Sequence, residues 1–255
     1  MSDKKIPVIY GFNKSSEACP DTFAPSIFLG GCNFCCDYCM NADLVNYSRK
    51  LTPITIEKIR AFVFNEKSKW IHISGGEITI SDTDEVINLI ELFKYWGCKV
   101  SISTNGFEPE KLKMLLNHVD HVTMDVKTGS AKYDLVLKKP VVEDTNIIGE
   151  CIKHYGAIYN IIKSLKYLHD RDLINEDFSY EIRTTLYRPL VGRDEIMEIG
   201  RLIGYPTKWI LQPFRKTKTM LSKRAYNVEE YTNEEIDELF ALSRKYNNNV
   251  SVKFV

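Results

Sequence analysis

Cys32, Cys36 and Cys39, in the stretch Gly30-Gly-Cys-Asn-Phe-Cys-Cys-Asp-Tyr-Cys-Met-Asn41, are spaced to share one metal centre. Three thiols at C-x3-C-x2-C spacing, in a loop after a short apolar strand, can hold three irons of a cubane [4Fe–4S] cluster, because thiolates are the usual ligands of such clusters. Three protein ligands leave one iron open, and an open metal position can take a substrate or cofactor. Cys35 adds a fourth thiol, so the run also reads as two overlapping C-x2-C pairs, Cys32/Cys35 and Cys36/Cys39, able to bind a structural zinc. Zinc sites normally set their two pairs well apart. Here all four thiols fall within eight residues, which favours the cluster.

Other residues able to do chemistry end the strand-like runs. Gly75-Gly76 admits a close backbone approach, and Glu77 offers a carboxylate suited to an ammonium group, although Gly-Gly-Glu alone is also an ordinary strand-to-helix turn. Ser103, Thr104 and Asn105 supply hydroxyls and an amide able to bond ribose, while Asn105-Gly106 alone is a turn signal. Asp125 and Lys127, two apart on one strand, face the same side. Buried together they need each other or a ligand. Arg183 can hold a carboxylate bidentately or close a salt bridge. The five histidines are dispersed, fit no metal spacing and read as structural. Six Lys/Arg and no acid lie between Pro206 and Asn227, a basic loop that reads as a solvated surface or as a dock for an acidic partner.

The elements that must position these residues alternate. Apolar strand-like runs are Ser26–Leu29, Trp70–Ser74, Val100–Thr104, His121–Val126, Tyr180–Leu186 and Trp209–Phe214. Between them Val86, Leu89, Ile90, Phe93 and Trp96 recur at helical spacing, as do Ile148, Ile152, Tyr155, Ile158, Ile162 and Leu165. Ile236, Leu239, Phe240 and Leu242 form a third stripe. Strands alternating with helices predict parallel βαβ units, and six of them predict an α/β fold, an incomplete (β/α)6 barrel of the TIM type. The closing Val250-Ser-Val-Lys-Phe-Val255 predicts an added edge strand. The irregular stretch Thr128–Asp144 reads as a long βα connection, which leaves residues 1–255 as a single domain. In such barrels the active site gathers at the carboxyl ends of the strands, where the residues above lie.

Composition narrows the class. Hydrophobic residues make up 44% and charged residues 27% of the 255-residue chain, and the formal net charge is zero. No global field therefore points to nucleic acid or an anionic membrane. No stretch approaches the roughly 20 apolar residues that span a bilayer, and the N-terminus lacks the apolar core of a signal peptide. Seven cysteines, four of them clustered, argue against a disulfide framework and for a reducing cytoplasm; Cys19, Cys98 and Cys151 read as buried small hydrophobes.

In order along the chain, Gly11-Phe-Asn-Lys-Ser15, the cysteine loop with Asn41, Ser74-Gly-Gly-Glu, Thr104-Asn-Gly, Asp125-Val-Lys, Arg183-Thr-Thr, Leu211-Gln-Pro-Phe-Arg and the helix start Tyr231-Thr-Asn-Glu-Glu form a recognisable layout. The set resembles the glycyl radical enzyme activating enzymes of the radical S-adenosylmethionine (SAM) superfamily, of the anaerobic ribonucleoside-triphosphate reductase and pyruvate formate-lyase types. The resemblance implies a [4Fe–4S] cluster on Cys32, Cys36 and Cys39 whose open iron chelates SAM. It also implies one-electron cleavage of SAM to methionine and a 5′-deoxyadenosyl radical. By the same resemblance Gly75, Gly76 and Glu77 meet the methionyl amino group and Thr104 and Asn105 lie near the ribose. Asp125, Lys127 and Arg183 contact the polar parts of SAM, Gln212 or Phe214 the adenosine end, and Tyr38 covers the adenine. The implied partners are a glycyl radical enzyme, foremost an anaerobic ribonucleotide reductase, and flavodoxin or ferredoxin as electron donor; membrane and nucleic-acid partners are not implied.

Departures bear on the substrate rather than on the cluster. Met40 stands where relatives carry histidine, Ile78 where they carry proline, and Ser103 replaces an acid, which bears on whether a monovalent cation binds near Asp125. Two other readings stay open at this point: a radical SAM enzyme acting on a small molecule or RNA, and a zinc-stapled binding module.

Overall fold

The computed structural model describes residues 4–19, 22–138, 147–204 and 207–254. Each predicted apolar run is a strand. They are β2 (Thr22–Leu29), β3 (Trp70–Gly75), β4 (Lys99–Thr104), β5 (His121–Asp125), β6 (Ser179–Leu186) and β7 (Trp209–Pro213), followed by the short edge strand β8 (Val250–Val252). All neighbours from β2 to β8 pair in parallel and in chain order. Helices α1 (Ala42–Val45), α2 (Ile56–Glu66), α3 (Thr83–Tyr95), α4 (Pro109–Leu115), α5 (Ile147–Ile174), α6 (Arg193–Ile203) and α7 (Asn233–Ser243) lie between the strands. Parallel strands in sequential order, each joined through a helix, make the partial TIM-type barrel that the sequence predicts.

One strand is additional. β1 (Ile9–Cys19) runs antiparallel to β2 and closes that edge of the sheet, with register shifts along its length. Local signals set the helix starts. Asp82 accepts from the Glu85 amide at the start of α3, and Thr232 and Glu235 exchange side-chain-to-backbone bonds at the start of α7. Helix α3 buries Val86, Leu89, Ile90 and Phe93, the stripe its spacing predicts. Helix α5 differs. Its buried face carries Ala157, Ile161, Ser164, Leu165 and Leu168, whereas Ile162 is exposed. The reason is polar: Asn160 donates to the Phe107 carbonyl and Ser164 to the Gly106 carbonyl, which rotates the helix toward the β4–α4 turn. Ile148, Ile152 and Tyr155 have side chains outside the described residues.

The strands alternate sharply. One face, with Ile27, Ile71, Ile73, Val100, Ile102, Val122 and Ile182, is buried and apolar. The other face carries a belt across the sheet in which Ser26 registers with His72, His72 with Ser101, Ser101 with His121 and His121 with Ser179. Barrel interiors are usually filled by branched apolar side chains. Here a polar layer underlies the carboxyl ends of the strands.

Candidate cofactor site

The cysteine loop is rooted where β2 meets β3. The Gly76 amide donates to the Leu29 carbonyl (3.1 Å) and the Glu77 amide to the Gly31 carbonyl (2.8 Å). A Cβ on Gly76 would lie 1.5 Å from the Gly31 oxygen, and one on Gly75, at φ +131°, would lie 2.2 Å from the Leu29 oxygen. The glycine pair therefore lets the end of β3 seat against the root of the loop. That packing role is additional to the ligand approach read from the sequence.

Beyond the root, Cys32, Cys36 and Cys39 line one cavity of about 460 Å³. The Cys39 amide donates to the Cys36 carbonyl (3.0 Å), and the Phe34 amide donates to Cys32 Sγ (3.3 Å), a bond that favours thiolate. Cys35 does not line the cavity. Its amide donates to the Val136 carbonyl (2.7 Å) and its thiol to the Leu137 carbonyl (3.3 Å), tying the loop to the segment after β5. Burial pushes the thiols up, Cys32 and Cys36 each to about 12, with Glu77 adding to the rise at Cys32 and Lys127 opposing it at Cys36. Cys39 is raised by burial as well. Such thiols lose their protons to a bound metal.

Among the described residues no three His, Cys, Asp or Glu side chains converge to hold a single metal ion. A mononuclear zinc needs four ligands on one point, and Cys35 is engaged elsewhere. In a cluster each thiol takes its own iron, and Cys32, Cys36 and Cys39 all line the cavity. With Cys35 bonded outside the cavity, the three remaining thiols fit a cluster.

The wall formed by the ends of β3 and β4 is closed by its own hydrogen bonds. Buried Glu77 accepts at Oε1 from Thr79 N (3.1 Å), Thr79 Oγ1 (2.7 Å) and Thr104 Oγ1 (2.7 Å), and at Oε2 from Asn105 N (2.6 Å). Burial raises its carboxyl pKa against the pull of these donors. Asn105 donates through Nδ2 to Asn33 Oδ1 (2.7 Å) and accepts from Phe107 N (3.0 Å), and Asn41 Nδ2 donates to the Gly75 carbonyl (3.3 Å). Below them His72 joins Ser101 (3.0 Å) and Ser103 (2.9 Å) through its two ring nitrogens. Burial, reinforced by Arg183 and His121, pulls His72 down to about 3, and burial brings His121 to about 4.

The wall formed by β5 and β6 is charged. Lys127 pairs with Asp125 at 3.0 Å. Burial alone would lower its ammonium, but Asp125, Tyr38 and Cys36 outweigh that and hold it well above its ordinary value. Asp125 registers with Arg183 across the sheet. Arg183 donates through Nε (3.0 Å) and a terminal nitrogen (2.6 Å) to Glu181 Oε1, and Lys208 lies 3.2 Å from Glu181 Oε2. Burial alone would raise Glu181; Arg183, with His121 and Lys208, leaves it below the usual carboxylate range. Tyr38, Tyr187 and Phe214 form an aromatic cluster beside this wall, with centroids 4.9–6.3 Å apart.

The structure brings every site residue named from the sequence to this one cavity: Cys32, Cys36, Tyr38, Cys39, Gly75, Gly76, Glu77, Thr104, Asn105, Asp125, Lys127, Arg183, Gln212 and Phe214. Glu77 and Asn105 do so with side chains already committed to the protein. Sequence reasoning missed Glu181 and the Asn33 contact, and gave Thr185 no role beyond its place in the Arg183-Thr-Thr motif. Glu181 and Thr185 flank Arg183 at two-residue spacing on the same strand face, a signal present in the sequence.

Comparisons with known proteins bear on the same residues. The chain matches the family described as the Radical SAM superfamily over residues 26–180, which spans the cysteine loop to the start of β6. It is 30% identical over 239 residues to MJ1227 of Methanocaldococcus jannaschii, a protein provisionally named a glycyl-radical enzyme activating enzyme, covering 92% of this chain and 91% of that one. It is 29% identical over 106 residues to a pyruvate formate-lyase-activating enzyme of Clostridium pasteurianum, covering 40% of this chain and 44% of that one. Its fold resembles a solved structure of TYW1 with a lysine-pyruvate adduct bound, at 16% identity and a TM-score of 0.52 over 88% of this chain and 74% of that one. No described helix is long and apolar enough to cross a membrane. Three thiols on a strand-end cavity of a partial barrel, with this family match, make the chain a radical SAM enzyme and a member of the radical SAM superfamily.

Proposed function

We propose that the protein is a glycyl radical enzyme activase, working in the reducing cytoplasm on an anaerobic ribonucleotide reductase. The observation that carries the site reading is the split between adjacent cysteines. Cys36 faces the cavity with Cys32 and Cys39, while Cys35 is bonded outside it. Cys32, Cys36 and Cys39 would hold a [4Fe–4S] cluster and leave one iron for SAM. When bound, the pair supplies a one-electron reductive cleavage of SAM and a carbon radical able to take a hydrogen atom from a backbone glycine.

The chain's own residues bind and orient. Gly75, Gly76 and Glu77 shape the edge on which the methionyl amino group would rest, with Glu77 acting through the four bonds that fix that edge. Thr104 and Asn105, which line the cavity, would meet the ribose, and Asp125, Lys127 and Arg183 would offer paired charges to the polar groups of SAM. Gln212 or Phe214, both on the cavity, would meet the adenosine end, and Tyr38, against Phe214, would cover the adenine. The activase reading is supported by the near full-length similarity to MJ1227. The electron would come from flavodoxin or ferredoxin.

The test is anaerobic incubation of the reconstituted protein with SAM, a reductant and an anaerobic ribonucleotide reductase, followed by electron paramagnetic resonance. A glycyl radical doublet on the reductase, with one 5′-deoxyadenosine formed per radical, is the expected result. Release of 5′-deoxyadenosine with no radical on any glycyl radical enzyme, and turnover of a small molecule or RNA instead, would overturn the activase reading.

A further inference from the structure

We propose that the outer face of residues 215–224 is the landing site of an acidic one-electron carrier protein that reduces the centre held by the cysteine loop. This rests on the cluster reading above and deepens it by assigning the donor a surface. The sequence marks the segment as basic, and the structure shows where it lies. The Leu221 amide donates to the Cys39 carbonyl (2.8 Å) and the Ser222 amide to the Asp37 carbonyl (3.0 Å). Thr219 Oγ1 donates to the Met40 carbonyl (3.4 Å). The segment is thus hydrogen-bonded to the backbone of a cavity-lining cysteine.

It is also held in shape. The Tyr226 hydroxyl accepts from the Met220 amide (3.1 Å) and donates to the Lys218 carbonyl (3.0 Å), and the Lys216 amide donates to Glu230 (2.8 Å). A loop built this way presents its charges from a fixed backbone. Lys216, Lys218, Lys223 and Arg224 are exposed, and among the described residues none of them makes an ion pair. The nearby acid Glu230 is taken up by Arg215 at 3.0 Å. Four uncompensated cations on a net-neutral chain form a local field that steers an acidic partner and fixes its orientation.

Electron donation is the role this placement suits. An electron needs only a short route to the thiol loop, and Leu221–Cys39 is a single hydrogen bond. A protein substrate must instead present its glycine inside the cavity, whose lining takes only Arg215 and Thr217 from this segment and none of its four exposed cations. In the transfer one electron leaves the donor's cofactor and one enters the cluster; no group crosses the interface.

The test uses the reconstituted protein and fully reduced flavodoxin as probe. Affinity and cluster bleaching are followed for wild type and for the combined Lys216→Glu, Lys218→Glu, Lys223→Glu and Arg224→Glu variant, with Lys218→Glu alone as a milder second variant. Flavodoxin affinity should fall about 30-fold in the first and about 3-fold in the second, and wild-type binding should weaken as salt rises. Dithionite should bleach all three proteins equally. Flavodoxin binding that is unchanged by reversal, or absent in wild type, overturns the proposal. So does reversal that releases a glycyl radical enzyme or RNA while flavodoxin stays bound. A wild-type protein that dithionite cannot reduce marks instead a failure of the cluster reading beneath it.

Discussion

The two walls of the cavity are built on opposite principles. At the ends of β3 and β4, polar groups bond mainly to one another: Glu77 takes four hydrogen bonds, Asn105 bonds Asn33 and Phe107, and His72 lies neutral between two serines, while Asn33 Nδ2 has no partner. At β5 and β6, formal charges are matched, Asp125 with Lys127 and Glu181 with both Arg183 and Lys208. A network bonded from within fixes shape, because removing a partner from a buried donor is costly. Paired charges hold a field that a zwitterionic ligand can engage without building it anew. The first wall should therefore govern stability and the second affinity for SAM.

The largest effect should come from removing Glu77 from the first wall. Glu77→Ala strands the Thr79 and Asn105 amides and two hydroxyls, and should cost about 3–5 kcal/mol of stability in denaturant titration. A cost below about 1 kcal/mol would mean that Glu77 is not the strut described here.

Acid should loosen the same wall next. His72 is held neutral down to about pH 3, whereas in the unfolded chain it protonates near pH 6.5. The unfolded state therefore binds more protons between those values, so stability falls as pH drops through that window and is level above it. His72 alone should remove roughly 3 kcal/mol by pH 4. A His72→Asn variant should show a shallower slope over the same range; an unchanged slope would place the acid sensitivity elsewhere, with His121 the next group to examine.

The smallest stability effect belongs to the charged wall. In Arg183→Gln, Glu181 keeps Lys208, so the loss should be about 1–2 kcal/mol, while SAM affinity, read by equilibrium dialysis, should fall about tenfold. A larger stability loss than in Glu77→Ala, with SAM affinity unchanged, would invert the comparison between the walls.

Much of this was legible in the sequence, and the limits have physical causes. Strands β2 to β7 announce themselves because their apolar faces pack under helices, which forces runs such as Trp70–Gly75. Strand β1 does not. Its middle, Asn13-Lys-Ser-Ser-Glu17, is polar, as befits an edge strand paired on one side only, and register shifts break its alternation. The cavity residues were legible as strand-end types, but their commitments were not. That Glu77 is saturated depends on Thr104 and Asn105 arriving from the next strand, and that Arg183 is anchored depends on Glu181, itself held by Lys208 across the β6–β7 pair. The two meanings of neighbouring thiols were equally hidden, because Cys35 is turned from the cavity by the carbonyls of Val136 and Leu137, a hundred residues away.

The central claim is that Cys32, Cys36 and Cys39 hold a cluster that cleaves SAM and that Cys35 stands outside it. The most direct measurement is anaerobic reconstitution of wild type, Cys36→Ala and Cys35→Ala with iron and sulfide, followed by iron quantitation and assay for 5′-deoxyadenosine after dithionite reduction with SAM. The account predicts about four irons and SAM cleavage in wild type and Cys35→Ala, and neither in Cys36→Ala. Zinc uptake in place of iron, lost in Cys35→Ala, would contradict it.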